Sequence, residues 1–326
     1  MCWGAGSLEG SNFKFDFNPF WFATSPNIFI YTHFPLNSEN QRLTPPLSKS
    51  EFLSLPILRS PYHRDGLCLL SPTTSYPLFS LSTFEPFIVT LLIPVDVMVT
   101  GVLQNSSLSE NGFIQYFGKE TLNSGVVYDN IQVWFRIPPD WFPPPPLLLE
   151  SSISSSTSSS SSLSTTSSSP LNLVRIQIAS KKASFIGNYD VGLIINPSPS
   201  STFYSLKDST SILPFPNSTG LWNSWKACLI SPIFKNLPLN QSTHFEIQTR
   251  RKDLDLILIS TPTPSSSQVR FPLTQSLGLD QRAIYSFHGI LNRKGIWYLS
   301  SYETKSDGSM IFCHGLTFSV STPPFD

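Results

Sequence analysis

The residues able to do chemistry in this 326-residue chain are few and scattered. Five histidines, His33, His63, His244, His288 and His314, fall in different apolar-polar runs. Three converging imidazoles would make a zinc site, but isolated histidines on strands are usually structural, so no metal is expected. Asp253 and Asp255 share one face of an expected strand. That spacing suits a glycosidase carboxylate pair, and any solvated strand face also produces it. Beside them, Arg250-Arg251-Lys252 reads as a loop edge with local charge compensation, with RNA contact as the sharper alternative. Trp222 and Trp225 could serve as a sugar platform. The phosphate loop, His-Glu-x-x-His, Gly-x-Ser-x-Gly and Cys-x-x-Cys patterns do not occur. Cys2, Cys68, Cys228 and Cys313 lie far apart, which indicates neither a disulfide framework nor a zinc knuckle. The expectation is a protein that is not an enzyme, with no catalytic residue and no cofactor.

The elements that would position these residues are strands. Only six alanines occur in the chain, so the best helix former is scarce while β and turn formers dominate. Charged residues make up 13% with a formal net charge of zero, about half the ordinary charged share. This argues against a nucleic-acid binder working through a basic face, and a neutral, weakly charged surface favours self-association. No basic residue precedes an apolar core at the N-terminus, so no leader is expected. The longest apolar run, Phe87 to Leu103, is interrupted by Pro94 and Asp96 and is too short for a membrane helix.

Short apolar-polar runs predict strands at Phe13 to Phe17, Asn27 to Phe34, Glu51 to Leu58, Phe113 to Phe117 and Asn130 to Ile137, and the β-branched apolar segment Phe84 to Leu103, bent at Pro94, reads as a strand buried on both faces. Apolar-polar runs recur at Leu173 to Ile178, Asn188 to Asn196, His244 to Thr249, Asp253 to Ser260, Ala283 to Leu291, Ile296 to Tyr302 and Met310 to Ser321. Asp307-Gly308 between the last two is a hairpin signal. Between the two sets lies Pro138 to Pro170, a proline cluster followed by a tract almost wholly of Ser and Thr. Its sparse apolar surface cannot offset the entropy of ordering it.

Arg59-Ser60-Pro61-Tyr62-His63-Arg64, placed after two aromatic runs and before a β-branched run ending near Val102, resembles a motif of nepovirus coat proteins. These are plant picorna-like viruses of the secovirus family. The resemblance implies an all-β chain of two tandem jelly-roll β-sandwiches of viral capsid type. The first, a partial domain, spans 1 to 104; the second spans 105 to 326, with a disordered Pro/Ser-rich insertion at 138 to 170. In it the hexapeptide is structural, and His63 is a turn or subunit-contact residue rather than a base. It implies a coat protein that self-assembles, with copies of itself or sister coat proteins, into an icosahedral shell. Genomic RNA would be enclosed through weak, non-specific contacts, with no membrane, in the virion or host cytoplasm. The alternative from another class is a β-sandwich that binds carbohydrate or protein and carries a disordered Ser-rich linker. A sandwich hydrolase using Asp253 and Asp255 comes third.

Overall fold

The computed structural model describes residues 7–9, 12–14, 20, 24–35, 37–74, 78–79, 86–105, 108–122, 125–137, 174–199, 215–260, 268–270, 282–304 and 308–322. The segment Pro138 to Pro170 lies outside them, as do Phe15 to Phe17. Over the described residues the chain is all-β, as its alanine-poor, alternating composition predicts.

The first half begins with β1 (Ser7–Glu9) and β2 (Asn12–Lys14), then α1 (Pro26–Phe29), α2 (Lys49–Ser54), β3 (Ile57–Leu58) and α3 (Ser60–Arg64). It continues with β4 (Cys68–Ser71), β5 (Leu78–Phe79), β6 (Phe87–Pro94), β7 (Val97–Gln104), β8 (Ser109–Asn111), β9 (Phe113–Thr121) and β10 (Val127–Phe135). Beyond the serine tract come β11 (Arg175–Lys182), β12 (Asp190–Ile195) and β13 (Ser198–Pro199). The remainder is β14 (Asn217–Ser218), α4 (Gly220–Ser224), β15 (Ala227–Ser231), β16 (Asn236–Pro238), β17 (Ser242–Thr249) and β18 (Asp255–Ser260). Last come β19 (Gln268–Arg270), β20 (Ala283–Ile290), β21 (Gly295–Thr304) and β22 (Met310–Ser321).

Helices replace the expected strand at its start in Asn27 to Phe34 and over the first half of Glu51 to Leu58, whose end remains a strand as β3. Pro26 sits in the first turn of α1, where its missing N–H costs nothing. Ser48 and Glu51 form a reciprocal capping box at the start of α2. Local capping chemistry overrides the short alternation there.

Four larger sheets carry the fold, and two cores group them in pairs. The first core lies between β4-β6-β10-β9 and β3-β12-β11-β7-β8, filled from one side by Val89, Leu91, Ile131 and Val133 and from the other by Val99, Leu103, Ile176 and Leu193. The second lies between β15-β17-β20 and β14-β22-β21-β18-β19, with Phe245, Ile247 and Tyr285 facing Leu256, Trp297, Leu299 and Phe318. β16 adds to β22 in parallel. In both halves the strand order of the described residues follows the immunoglobulin pattern, A-B-E against G-F-C-C′, and β9 adds a D strand to the first half.

The strand pairing groups the chain differently from a division at Gln104. β7 pairs with β11 along its full length, and β10 pairs with β6, so strands from both sides of Gln104 build the first core. Alternation marks which face of a strand is buried but not its partner. The serine tract is bracketed by Ile137 and Val174, both buried in that first core.

The two halves repeat one local device at an offset of 160 residues. Arg59 to Pro72 and Thr219 to Pro232 each run from an extended residue through one helical turn, a residue of positive φ, a short strand and a Ser-Pro pair. Tyr62 matches Trp222, Gly66 (φ 70°) matches Lys226 (φ 49°), and Cys68-Leu69 matches Cys228-Leu229. Both short strands carry a register shift at the same place, Leu69/Ser71 and Leu229/Ser231. The N–H groups of Arg59 and Thr219 donate to the carbonyls of Gly192 (2.7 Å) and Gly315 (3.0 Å), each at a bulge in the last strand of its unit. A Cβ at Gly192 would lie 2.7 Å from the Tyr62 backbone nitrogen, where nothing can give way. Gly192→Ala therefore costs about 1–3 kcal/mol, read as a lowered denaturant midpoint with an unchanged slope.

Candidate functional site

Most residues singled out by sequence serve the scaffold. In α3, Tyr62 is buried and its hydroxyl accepts the Leu69 N–H at 2.7 Å, while burial pushes the phenol up to about 12. Arg64 donates to Asp65 at 2.8 Å and to Asp190 at 3.0 Å, and Ser180 Oγ donates to Asp65. Burial alone would raise the Asp65 carboxyl, but the hydrogen bonds from Arg64 and Ser180 outweigh it and hold the group below its ordinary value. His63 packs among Phe20, Tyr31 and Tyr62. The hexapeptide is thus one copy of the repeated turn, with Tyr62, His63 and Arg64 held by the first unit.

Burial also lowers the pKa of His63, and likewise those of His33 and His314. Unfolding returns each imidazole to about 6.5, so below that value the unfolded chain binds more protons than the folded one. Stability present above about pH 6.5 is lost as pH falls towards the folded values. Thermal unfolding should show a lower midpoint at about pH 5 than at about pH 7.5, and His63→Phe should shrink the difference.

Trp222 and Trp225 are fully buried and offer no sugar platform. Trp222 Nε1–H donates to the Ile114 carbonyl at 2.9 Å, and Trp225 Nε1–H to Glu303 Oε1 at 2.9 Å. Apolar rings with one donor each are satisfied from opposite ends of a core. Asp253 and Asp255 do not act as a pair on a strand, because β18 begins only at Asp255 and Asp253 is bound by Arg251 Nη2 at 2.6 Å. That hydrogen bond holds the Asp253 carboxyl below its ordinary range.

Two serine–histidine contacts fall short of nucleophilic machinery. Ser286 Oγ lies 3.1 Å from His244 Nε2, but Glu246 approaches the same nitrogen, at 3.9 Å, instead of orienting the ring through Nδ1. A relay needs its acid on the opposite nitrogen. Ser300 Oγ meets His314 Nδ1 at 2.7 Å. Burial raises the Cys228 thiol to about 12, which keeps it a thiol. Among the described residues no group of three or more His, Cys, Asp or Glu could hold a metal ion.

The site that sequence reading missed is the junction between the units. β9, the edge strand of the first unit, runs beside β15, the edge strand of the second. Gln115, fully buried, donates its amide N–H to the Leu229 carbonyl at 3.1 Å and accepts the Leu229 N–H at 2.8 Å. Its side-chain amide occupies the place a peptide group would take in a ladder. Asp129, fully buried on β10, receives Lys226 Nζ at 2.6 Å and Arg250 Nη1 from the second unit. Lys226 also donates to the Val95 carbonyl at 2.9 Å, and Arg250 to the Gly118 carbonyl at 2.6 Å. Phe113, next to Ile114, crosses into the second core and stacks on Trp222 and Phe215. The positive φ of Lys226 is informative: where the first unit has glycine, the second holds a side chain in the left-handed region, an arrangement that persists only when its surroundings fix it.

No protein-family model matches the chain. A 75-residue stretch is 37% identical to kyphoscoliosis peptidase of Mus musculus, and equally to that of Homo sapiens, covering 22% of this chain and 11% of each relative. A 62-residue stretch is 36% identical to hillarin of Drosophila melanogaster, covering 19% of this chain and 8% of that protein. The chain thus matches about a tenth of the length of these curated relatives.

Proposed function

We propose that the chain is a protein-binding module, two immunoglobulin-like β-sandwiches locked into one rigid body, and not a catalyst. The observation that carries this reading is the junction. Gln115, Asp129 and Trp222 spend buried hydrogen bonds and charge on fixing one unit against the other, in the way a scaffold must. Trp222 and Trp225 are instead committed to the second core, and Asp253 to an ion pair with Arg251. The stretch shared with kyphoscoliosis peptidase would then be β-rich support in that larger protein, with any peptidase chemistry belonging to parts this chain does not match. No feature of the fold favours the coat-protein expectation. The hexapeptide that carried it repeats within the chain as a turn at residues 219 to 224, and the relatives are animal proteins.

Small-angle scattering of the chain with residues 138–173 replaced by a short Gly/Ser loop tests the reading. One rigid conformer should fit the curve, because long loop insertions contribute little to stability. A spread of inter-unit arrangements would overturn rigidity, and turnover of denatured protein substrates lost on a single substitution would overturn the non-catalytic assignment.

A further inference from the structure

The outer face of β21 and β22, turned away from the second core, carries a strip of aromatic rings. The register sets Tyr302 beside Phe312, Ser300 beside His314 and Tyr298 beside Thr317. Tyr302 and Phe312 lie with centroids 5.0 Å apart, Phe312 meets His314 edge-on at 5.1 Å, and His314 stacks on Tyr298 at 4.5 Å. The strip is held from below: Ser300 has no exposed surface and bonds His314 Nδ1 at 2.7 Å. Phe312 remains 36% exposed. When the Ser300 hydroxyl donates to Nδ1, the neutral imidazole carries its proton on Nε2. The strip then offers apolar ring faces and three donors, the two phenol hydroxyls and the Nε2–H. It bears no formal charge, the nearest in register being Asp255 beside Tyr302.

We propose that this strip binds a proline-rich segment of a partner protein in the polyproline II conformation. The proposal rests on the binding-module reading and names its partner. Such a segment is complementary in each respect. Proline has no N–H to satisfy, the extended left-handed helix leaves its carbonyls without internal partners, and pyrrolidine rings fit between aromatic side chains. A glycan asks for acceptors as well as donors at its hydroxyls, and the four rings supply few. Because the conformation is already formed in the free peptide, little ordering entropy opposes binding.

Titration of the full chain with a decaproline peptide, followed by calorimetry, tests this. Saturable binding is expected, and the double substitution Tyr298→Ala, Phe312→Ala should weaken it at least tenfold. Ser300→Ala, which frees the imidazole but leaves every ring, should weaken it by a smaller factor. The double variant must keep the wild-type unfolding transition; if it does not fold, Tyr302→Leu takes its place with the same expected loss. Absence of decaproline binding overturns the proposal. So does preferential binding of a chitin or cellulose oligosaccharide, or use of the strip only for self-association, seen as a dimer that these variants dissolve. Failure of the scattering test would overturn the rigid module yet leave the peptide titration readable, so the two can fail separately.

Discussion

Asp129→Ala should separate one unfolding transition into two. The carboxylate is fully buried and shared by Lys226 and Arg250. Removing one partner of a buried ion pair leaves uncompensated charge, a loss of about 3–5 kcal/mol. The side chains of Lys226 and Arg250 keep 28% and 19% exposure, so water can reach them and the lower end of that range is expected. Because both cations come from the second unit while Asp129 belongs to the first, the lost energy is mostly coupling energy. Calorimetry should therefore show an uncoupled transition for each core, with the first unit less affected once separated. A double-mutant cycle pairing Asp129→Ala with Arg250→Ala should return a strongly non-additive result. Additive losses with a single retained transition would mean that the charges are local and the units are held by other contacts.

Trp222→Ala should be the most damaging single change in the second unit. The ring has no exposed surface, stacks on Phe113 with centroids 6.0 Å apart and meets Trp225 edge-on at 6.2 Å. Truncating a buried tryptophan costs about 3–5 kcal/mol, and the orphaned Ile114 carbonyl adds to it. Trp222→Phe isolates the polar part: it keeps most of the ring packing but loses the Nε1–H bond, for about 1–3 kcal/mol. Chemical denaturation followed by fluorescence reads both. Equal losses for Phe and Ala would assign the whole effect to the hydrogen bond, and a loss below about 1 kcal/mol for Ala would contradict the burial.

The sequence was legible where one face of a strand is wet and the other dry. His244 to Thr249 alternates cleanly and is strand throughout, and Met310 to Ser321 is strand with one slip of the alternation at Gly315. It was not legible where capping decides, as at Ser48 and Glu51, because a four-residue alternation cannot outweigh a reciprocal cap. Partners were illegible too. Period-two patterning gives no reason for Val97–Gln104 to choose Arg175–Lys182 across the serine tract. The repeat was hidden because its shared residues are few: Cys-Leu followed by Leu or Ile and then Ser-Pro, with tyrosine exchanged for tryptophan and glycine for lysine. The tryptophans suggested a surface because both have polar tips, and only the Ile114 carbonyl and Glu303 show that those tips are satisfied inside. Asp129 and Gln115 look like ordinary solvated strand residues until the second unit is set against them.

Gln115 carries a consequence for the life of the protein at high concentration. A bare strand edge is a template on which any extended chain can grow, and a molecule with only 13% charged residues has little electrostatic repulsion to keep strangers away. At β15 one primary amide from the neighbouring β9 closes the edge, since it answers the Leu229 N–H and carbonyl that an incoming strand would seek. The joint between the halves therefore also shields the β15 edge from misassembly.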